Sequence, residues 1–554
     1  MPSRPLRNDS SLTFDHLGLT WPNGRNVFAD LSVTLTGTVG VVGSNGLGKS
    51  ALLRVAAGEL RPTSGHVVAP QDVAYLPQHV ARSRDRTVAH VLGVEQQLEA
   101  LHRILAGSVP EDELDEAFHC VGDAWDLEEH LVALLGTYGV RASADLLVRP
   151  LASLSGGEAT IAALAGLERR AAALTLCDEP TNNLDAVAQA RFAETVEQWD
   201  AGTLVVATHD VAILRRVQTI LELRPRRVRS MAADGVVVRQ FGAAAAESAW
   251  EVYQRESEVE RQAAERRVRD ARAVVNAERQ RRTAAETAMA RRARAGREAA
   301  DGLPKILANA RRSDAEAAGG KLRAQLASRQ ERARAELEAA HESVPADLSI
   351  SIDLPGTEIA AQRVVLDVAL NSLRLPEGTR LDAADAYLSI RGPERVWVTG
   401  RNGVGKSTLL AQVAAGARVP LGWLRQQLDA DGAWEGLRDD LTVAEQIATS
   451  GTQAQVRAQL ARFHLRGDRV NDAVGQLSGG ERFRVALARL LLADPAPQLL
   501  ILDEPTNNLD HASVGQLVTA LEGFGGAVVF VSHDEDFAQQ LAPSRRWHLT
   551  SALV

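Results

Sequence analysis

Long apolar runs are missing from this 554-residue chain, although 45% of its residues are hydrophobic. No stretch approaches the roughly 18 to 20 apolar residues of a membrane-spanning helix, which excludes a transmembrane segment in this sequence. Cysteine is scarce as well, since Cys120 and Cys177 are the only two, too few for a disulfide framework. The N-terminal stretch MPSRPLRNDSSLTF lacks the apolar core of a secretory signal. We therefore expect a cytoplasmic protein without a membrane domain.

Lysine is also rare, because only four of the 62 lysines and arginines are lysine. The net charge is −9, so the whole molecule is not a general polyanion binder, and any contact with nucleic acid must come from a local basic region. Two of the four lysines stand in GSNGLGKS (Gly43–Ser50) and GRNGVGKS (Gly400–Ser407). Both octapeptides match the phosphate-binding loop G-x-x-x-x-G-K-[ST].

Both loops have the residue types that phosphate binding needs. Glycines let backbone N–H groups curl around phosphates, the lysine reaches the β and γ oxygens, and the hydroxyl of Ser50 or Ser407 binds Mg²⁺. Each loop follows a strand-like run, TGTVGVVG or RVWVTG, and precedes a helix-like run, ALLRVAAGEL or TLLAQVAAGA. A glycine-rich turn without a ligand is disfavoured, because two matches occur in this context. The pattern predicts an α/β protein with two tandem P-loop ATPase domains.

A second repeat supplies carboxylates. CDEPTNNLD (Cys177–Asp185) and LDEPTNNLD (Leu502–Asp510) share eight of nine residues and lie 325 positions apart. Each follows an apolar strand, which places an Asp-Glu pair at the C-terminal edge of a parallel sheet, beside the phosphate loop. There an aspartate suits Mg²⁺ coordination, and a glutamate can polarise the water that attacks the γ-phosphate. A solvated surface pair is the disfavoured alternative. The aspartates are Asp178 and Asp503, and the glutamates are Glu179 and Glu504.

A third repeated motif identifies the superfamily. LSGGEATIAALA (Leu154–Ala165) and LSGGERFRVALA (Leu477–Ala488) place a Ser-Gly-Gly turn at a helix start, where serine and helix-terminal amides suit a γ-phosphate. THD (Thr208–Asp210) or SHD (Ser532–Asp534) follows each acidic segment. With the phosphate loops, these motifs resemble those of ATP-binding cassette ATPases over nearly all the chain outside residues 244–344. The resemblance implies that the two cassettes pair head to tail within the chain and sandwich two ATP molecules.

The resemblance also implies the members of each composite site. The first phosphate loop is paired with the second LSGGE, and the second loop with the first. The catalytic residues are Glu179, Glu504, His209 and His533. Around the first nucleotide we expect Gly43, Asn45, Gly46, Gly48, Lys49, Ser50, Gln78 and Asp178, closed by Ser478, Gly479 and Gly480. Around the second we expect Gly400, Asn402, Gly403, Gly405, Lys406, Ser407, Thr408, Gln426 and Asp503, closed by Ser155, Gly156 and Gly157. The expected Mg²⁺ ligands are Ser50, Gln78 and Asp178, and Ser407, Gln426 and Asp503.

Departures from the family pattern make the two sites unequal. Ala51 stands where a threonine usually follows the loop serine, whereas the second loop keeps Thr408. Trp21 is the candidate to stack on the adenine in the first cassette, and a surface or core tryptophan is the alternative. The second cassette offers no corresponding aromatic residue in VVLDVALNSLRLPEG. We expect modest asymmetry, with hydrolysis at both sites because both glutamates are present.

The segment between the cassettes has a different composition. No glycine or proline occurs from Glu247 to Ala295, in a stretch rich in Ala, Arg, Glu and Gln, which predicts a long helix. Glycine and proline then break the pattern from Gly296, and a second helical run, from about Lys321 to Glu342, can return antiparallel. The expected regions are a first ATPase domain at 1–243 with a helical subdomain at about 79–170, an α-helical hairpin linker at 244–344 and a second ATPase domain at 345–554.

The linker is basic although the whole chain is acidic. From Arg266 to Arg323 it has 16 basic and 7 acidic residues, an excess that suits an RNA backbone. A solvated, salt-bridged helix pair is the alternative. It explains the mixed charges before Arg266 better than the clusters RQRR, RRARAGR and ARRS. The candidate RNA-binding residues are Arg291, Arg292, Arg294, Arg297, Lys305, Arg311 and Arg312.

Twin cassettes without membrane domains, joined by a charged helical hairpin, resemble the ABC-F proteins. The resemblance implies a ribosome-associated ATPase that uses ATP and Mg²⁺, binds at the tRNA exit site and acts as a monomer. Its linker would contact 23S rRNA and P-site tRNA near the peptidyl-transferase centre. The long tip, Gly302–Lys321, resembles antibiotic-resistance members more than housekeeping translation factors, which stay an alternative. Gln78 and Ser155 lie 77 positions apart, whereas the matching Gln426 and Ser478 lie 52 apart. We therefore expect the first cassette to have either a ribosome-facing arm or a longer helical subdomain.

Two functions of other classes remain open from the sequence. A transport ATPase with separate membrane subunits would have the same cassettes but no reason for a basic hairpin. A DNA-repair or chromosome-associated ATPase would bind duplex DNA through the same arginines.

Overall fold

The protein is described by a computed structural model, in which the chain divides into two compact units. One unit comprises Met1–Val252 with Ser349–Val554, and the other comprises Tyr253–Leu348. The structure describes residues 10–551. Within that range it leaves out 22–25, 79, 81–85, 141, 183, 226–235, 245–246, 299–319, 321, 323, 338, 341–353, 355, 377, 383–386, 402, 426–436, 448–451, 464, 466–469, 478, 507–508 and 510.

The first cassette combines two sheets with a helical subdomain. One sheet is antiparallel with the strand order β2-β1-β4, and the other has the order β5-β6-β7-β3-β8-β9, parallel except for the β8–β9 pair. The elements are β1 (Leu12–Thr20), β2 (Asn26–Leu35), β3 (Thr38–Val42), α1 (Lys49–Ala56), β4 (Ser64–Val68), β5 (Val73–Leu76), α2 (Val88–Val91), α3 (Glu95–Leu105), α4 (Leu114–Val121), α5 (Leu127–Thr137), α6 (Ala144–Val148), α7 (Gly156–Arg170), β6 (Leu174–Asp178), α8 (Ala186–Glu197), β7 (Thr203–Ala207), α9 (Val211–Leu214), β8 (Thr219–Pro225) and β9 (Val236–Gly242).

The parallel strands of this cassette are apolar because both faces of the sheet are covered. Every residue of β3, β6 and β7 is buried. Side chains such as Val41 and Leu176 share one apolar core with Leu52 and Leu53 of α1. Parallel strands end at the same edge of a sheet, so the phosphate loop after β3, the Asp-Glu pair of β6 and the Thr-His-Asp segment after β7 meet there. The predicted strand–loop–helix arrangement is confirmed.

The extra residues of the first cassette are helical. Helices α3, α4 and α5 lie between the fifth strand and the LSGGE helix, and α3 packs against α4. This helix group leaves two aromatic side chains exposed, Phe118 and Trp125, whose ring centroids are 5.7 Å apart. A longer helical subdomain is therefore present, and an orientation toward a ribosome stays a prediction.

The second compact unit contains the linker helices. The predicted long helix is confirmed as α10 (Ala249–Glu298), and a shorter helix, α11, has its described residues between 320 and 340. The helix continues through Gly296 to at least Glu298, since one glycine costs a helix only about 1 kcal/mol, and Gly302 and Pro304 lie outside the described residues. Arg282 Nη1 of α10 donates a hydrogen bond to Gln330 Oε1 of α11 at 2.8 Å. In the described part of the chain, no helix is both long and apolar enough to span a bilayer.

The second cassette repeats the architecture of the first. Its six-stranded sheet has the order β11-β17-β13-β16-β15-β14 and is parallel except for the β11–β17 pair, while β10 and β12 form a separate antiparallel pair. The elements are β10 (Val364–Ala369), β11 (Thr379–Asp382), β12 (Tyr387–Arg391), β13 (Arg395–Gly400), α12 (Lys406–Gly416), β14 (Leu421–Leu424), α13 (Val443–Gln446), α14 (Gln453–Arg462), α15 (Gly479–Leu491), β15 (Leu499–Asp503), α16 (His511–Glu522), β16 (Ala527–Val531), α17 (Glu535–Gln540) and β17 (Arg545–Ser551).

Candidate functional site

Each phosphate loop turns at positions that favour glycine. Gly46 and Gly48 have φ angles of 81° and 100°, and a Cβ atom on Gly48 would lie 2.5 Å from the Val27 side chain. The matching Gly403 and Gly405 have φ angles of 76° and 99°. Side chains make this left-handed conformation costly. Because Gly48 and Gly405 cap the N-termini of α1 and α12, each loop turns backbone N–H groups and a positive helix end toward one place.

The first loop lysine is buried and held by its own loop. Lys49 is 7% exposed, and its Nζ donates a hydrogen bond to the Gly43 carbonyl at 2.7 Å. The same ammonium contacts His209 Nε2 and lies 3.8 Å from Glu179 Oε1. A carbonyl is a neutral acceptor, so phosphate oxygens can replace it with a gain in charge attraction. The structure thus brings together four residues that the sequence predicts for this site.

The second loop lysine has the same surroundings. Lys406 Nζ donates a hydrogen bond to the Gly400 carbonyl at 2.8 Å and lies 2.8 Å from His533 Nε2. Burial lowers the pKa of Lys406, against the attraction of the Glu504 and Asp185 carboxylates. Burial, together with the Lys406 charge, lowers the pKa of His533 to about 4. The imidazole is therefore neutral at pH 7, and its Nε2 can accept a hydrogen bond from the lysine.

The two glutamates share an unusual backbone conformation. Glu179 and Glu504 have φ angles of 46° and 49°, which cost a non-glycine residue about 1–3 kcal/mol. Glu504 Oε2 accepts a hydrogen bond from the His533 backbone N–H at 3.2 Å. Burial raises the pKa of both glutamates to about 7, against the nearby charge of Lys49 or Lys406. A carboxyl group that titrates near neutral pH is suited to take a proton from water.

The second cassette also presents a pair of oxygen ligands that fits Mg²⁺. Ser407 Oγ donates a hydrogen bond to Asp503 Oδ2 at 3.0 Å. Burial raises the pKa of Asp503, and that hydrogen bond and the Lys406 charge oppose the shift. Hydroxyl and carboxylate oxygens are the ligands that this hard cation prefers, together with phosphate oxygens. In the first cassette, Asp178 has the same place at the end of its strand and is 2% exposed.

The LSGGE serine of the first cassette begins a helix, as predicted. Ser155 Oγ accepts a hydrogen bond from the Glu158 backbone N–H at 3.3 Å, and Glu158 Oε2 accepts one from the Ser155 N–H at 2.8 Å. This capping box fixes the start of α7 at Gly156 and Gly157. In the second cassette, α15 likewise begins at Gly479 and Gly480, whereas Ser478 lies outside the described residues.

The two cassettes meet at the second phosphate loop. The guanidinium of Arg401, the second residue of that loop, donates a hydrogen bond to the Gly139 carbonyl of the first cassette. Asp185, the N-cap of α8, is near enough to His533 to oppose the lowering of its pKa by burial. Both cassettes also line a cavity of about 500 Å³. Its lining includes Glu179, His209, His533 and Asp534. Contact of Ser155, Gly156 and Gly157 with the second nucleotide stays a prediction.

The structure says less about seven other predicted residues of the nucleotide sites. Trp21 is partly buried against the apolar core of the first cassette, which the core alternative explains, so its contact with adenine stays a prediction. Asn45 Oδ1 accepts a hydrogen bond from Lys49 Nζ at 3.4 Å. Gln78 is partly buried after the fifth strand. Ser50 and Thr408 lie in the first turns of their helices, and Asn402 and Gln426 lie outside the described residues.

The predicted RNA-binding residues fall on the basic half of α10 or beyond it. Arg291 and Arg292 are exposed on the surface of this helix, as is Arg279. Within the described residues, no ion pair involves Arg291 or Arg292, whereas Arg261 pairs with two glutamates of the same helix. Arg294 and Arg297 also lie in α10, and Lys305, Arg311 and Arg312 lie outside the described residues.

Reasoning from the sequence did not single out Arg401 or Asp185. Asp185 is the last residue of CDEPTNNLD, in which only the Asp-Glu pair has a predicted role. Arg401 stands where the first loop has Ser44, and this difference between two otherwise similar loops is the signal that could have found it. Both residues interact with groups of the other cassette, which a local motif does not reveal.

Comparison with known proteins is consistent with this geometry. A family model described as ABC transporter matches the chain twice, at residues 29–182 and 384–507. The tylosin resistance ATP-binding protein TlrC of Streptomyces fradiae is 35% identical over 538 residues, which cover 89% of each chain. The energy-dependent translational throttle protein EttA of Escherichia coli K12 is 28% identical over 563 residues, which cover 96% of this chain and 90% of EttA. The similarity therefore runs through both cassettes and the linker.

Proposed function

This chain belongs to the ABC-F family of ATP-binding cassette ATPases, and on that premise we propose that it is an ATPase that binds the ribosome and acts through its interdomain linker. ATP hydrolysis, which releases ADP and phosphate, is the activity of its cassette domains. The observation that carries ribosome binding is the basic half of α10, an excess of positive charge inside an acidic chain.

Binding of ATP begins with an exchange of partners at the loop lysines. Lys49 and Lys406 leave the carbonyls of Gly43 and Gly400 for the β and γ oxygens of ATP. The loop N–H groups and the N-termini of α1 and α12 hold the same phosphates. The burial of both lysines favours this exchange, because a charge attraction is stronger where water is excluded.

Hydrolysis then depends on the glutamates. Glu179 and Glu504, held at the sheet edge, accept the proton of the attacking water while the loop lysines draw charge toward the γ oxygens. The backbone N–H of His533 orients the Glu504 carboxylate by its hydrogen bond. Ser407 and Asp503, and by analogy Ser50 and Asp178, would hold Mg²⁺, which supplies charge neutralisation at the phosphates.

The linker is the proposed ribosome-binding element. Arginine side chains on α10 contact RNA phosphates without reading a sequence, so they hold the protein in place. The same exposed surface includes Asn276, whose side-chain amide can donate to phosphate and sugar oxygens. We assign the ribosomal tRNA exit site as the binding site, with the linker directed at 23S rRNA and P-site tRNA near the peptidyl-transferase centre. The protein acts as a cytoplasmic monomer.

Two roles within the family differ in what the linker tip does. The name of TlrC links that relative to tylosin resistance, and the name of EttA links the other to translational throttling. We propose the resistance role, because the identity to TlrC is 35% against 28% to EttA and the tip from Gly302 to Lys321 is long. A housekeeping translation factor is the second candidate. A role as a transporter ATPase subunit or as a DNA-associated ATPase would not explain the similarity to EttA over 96% of this chain.

Sedimentation tests this function. We expect a variant with Glu179→Gln and Glu504→Gln to bind ATP without turnover and to co-sediment with ribosomes in ATP. ADP should release it, because the closed cassettes need the γ-phosphate. Duplex DNA and membrane vesicles serve as competing binding partners in parallel runs. A protein that stays in the supernatant with ribosomes, or pellets equally with DNA or vesicles, contradicts the proposal.

A further inference from the structure

One hydrogen bond joins the second phosphate loop to the first cassette. The Arg401 guanidinium donates to the carbonyl of Gly139, which follows the C-terminal end of α5. Carbonyl groups at a helix C-terminus lack partners within the helix and form the negative end of its dipole. A guanidinium is a favourable partner there. Arg401 thus has a neutral carbonyl acceptor that lies near the negative end of a helix dipole and belongs to the other cassette.

The backbone conformation of Gly139 and its lack of a side chain allow this contact. Its φ angle is 82°, in the region that favours glycine. A Cβ atom at this position would lie 3.0 Å from Arg401 Nη2 and 3.2 Å from Val187 Cγ1. Val187 belongs to α8, the helix that follows the first DEPTNNLD segment. The guanidinium therefore approaches the backbone at a point where the α5 terminus also touches α8.

A partly buried polar cluster links this point to the LSGGE helix. The Tyr138 hydroxyl donates to Glu168 Oε2 of α7 at 3.0 Å, and the Arg191 guanidinium of α8 pairs with Glu168 and lies 5.3 Å above the Tyr138 ring. Arg191 Nη1 also donates to Thr195 Oγ1 at 2.5 Å. Tyr138 is 1% exposed. Glu168 lies in α7, whose N-cap is Ser155, so these side chains connect Gly139 to the helix that begins at the LSGGE serine.

The second cassette has no such set of residues in its sequence. Leu491 stands 13 positions after Ser478, as Glu168 stands 13 after Ser155. Gln516 stands six positions after Asp510, as Arg191 stands six after Asp185. The first phosphate loop has Ser44 in place of Arg401. Arg401 and the pair of Glu168 and Arg191 therefore occur only at the site that would combine the second phosphate loop with the first LSGGE.

We propose that Arg401 is a positioning residue of the second ATP site, which joins the second phosphate loop to the LSGGE helix of the first cassette through Gly139 and the cluster of Tyr138, Glu168 and Arg191. The link aligns Ser155 with the nucleotide that the second loop holds. The second site consequently closes more readily than the first. This inference rests on the proposed head-to-tail pairing of the cassettes.

Variants in which only one ATP site can hydrolyse ATP allow the turnover of each site to be measured by itself. Glu179→Gln leaves turnover to the second site, and Glu504→Gln leaves it to the first. In the Glu179→Gln background, we expect Arg401→Ser to lower kcat about tenfold, the value of one charge-assisted hydrogen bond. The Kd for a non-hydrolysable ATP analogue should change less than about twofold, because the lysine and the loop backbone remain. In the Glu504→Gln background, kcat should also change less than about twofold.

Three further variants sharpen the test. Arg401→Lys should restore most of the lost turnover, because an ammonium also reaches the carbonyl. Arg418→Ser removes an exposed arginine from the same cassette and should leave turnover unchanged. Tyr138→Phe should lower kcat of the second site, and the double variant Tyr138→Phe, Arg401→Ser should be no slower than Arg401→Ser alone.

The results that overturn the inference are distinct. Equal losses in both backgrounds, a loss that comes from weaker nucleotide binding, or no loss at all each contradict a positioning role for Arg401. Effects of Tyr138→Phe and Arg401→Ser that multiply contradict transmission through the cluster. All measurements are made without ribosomes. If the single-site variants have no turnover before Arg401 is changed, the proposed pairing of the sites is wrong instead.

Discussion

Lys406 and His533 face each other at the second phosphate loop, with Nζ and Nε2 2.8 Å apart. The pKa of His533 is lowered to about 4, by burial and by the lysine charge, so the neutral imidazole accepts a hydrogen bond from the Lys406 ammonium. Lys49 and His209 make the same contact in the first cassette. In both, the histidine and the loop carbonyl hold the lysine near the glutamate that we propose as the general base.

Replacing both glutamates tests their role directly. We expect Glu179→Gln with Glu504→Gln to lower kcat for ATP about 10³-fold, because a positioned general base contributes about that much. The Kd for ATP should stay the same, because glutamine preserves the shape of the side chain. Glu59→Gln with Glu394→Gln changes one glutamate outside the nucleotide site in each cassette and is the matched control. Steady-state turnover at the parent rate would show that these glutamates do not take the proton.

The same glutamates should determine how kcat for ATP depends on pH. Burial raises their pKa to about 7, and only the ionised form accepts a proton, so kcat falls as pH drops through 7. Turnover at pH 6 should be about tenfold lower than at pH 8. The pKa of His533, near 4, lies outside this range. His533→Asn should therefore keep the inflection near pH 7 at a reduced rate, and a loss of the inflection would assign it to the histidine.

The Mg²⁺ site can be tested at Asp503. In the Glu179→Gln background, Asp503→Asn removes a charged ligand beside Ser407, and we expect the Mg²⁺ concentration for half-maximal turnover to rise at least about tenfold. ATP binding in EDTA should not change. Asp367→Asn, a substitution in an exposed ion pair of the same cassette, is the control. An unchanged Mg²⁺ requirement would remove Asp503 from the metal site.

The arginines of α10 should govern affinity for the ribosome. Replacing Arg291, Arg292, Arg294 and Arg297 with glutamine keeps helix propensity and removes four positive charges. We expect weaker ribosome binding and a salt dependence flattened by up to about four in the slope of log K against log salt. ATPase activity without ribosomes should persist. Arg261→Gln, in the salt-bridged part of the same helix, should have little effect on either measurement.

The linker tip should affect the outcome of binding rather than binding itself. Leu303, Ile306 and Leu307 lie outside the described residues, in the segment between α10 and α11. Changing all three to alanine should leave co-sedimentation with ribosomes intact, because the arginines remain. Protection of translation from a ribosome-targeting antibiotic should be lost. A tip variant that protects translation as well as the parent would make the linker an anchor or a spacer.

The sequence by itself determined the elements whose geometry is local. Gly48 and Gly405 are glycines because their φ angles exclude most side chains, and Ser155 begins a helix because its hydroxyl caps a nearby N–H. The strand–loop–helix order, the Asp-Glu pairs and α10 follow from patterns of a few residues. Such features can be predicted because all the atoms that fix them lie within one or two turns of the chain.

Only the tertiary structure decided how distant segments act on one another. Arg401 and Gly139 are 262 positions apart, and Lys406 and His533 are 127 apart, so no local pattern relates them. The pKa of Glu504 near 7 comes from its burial, which depends on the packing of the whole cassette. Two loops with nearly the same motif therefore have different neighbours, because each motif specifies its own backbone while packing decides which residues it meets.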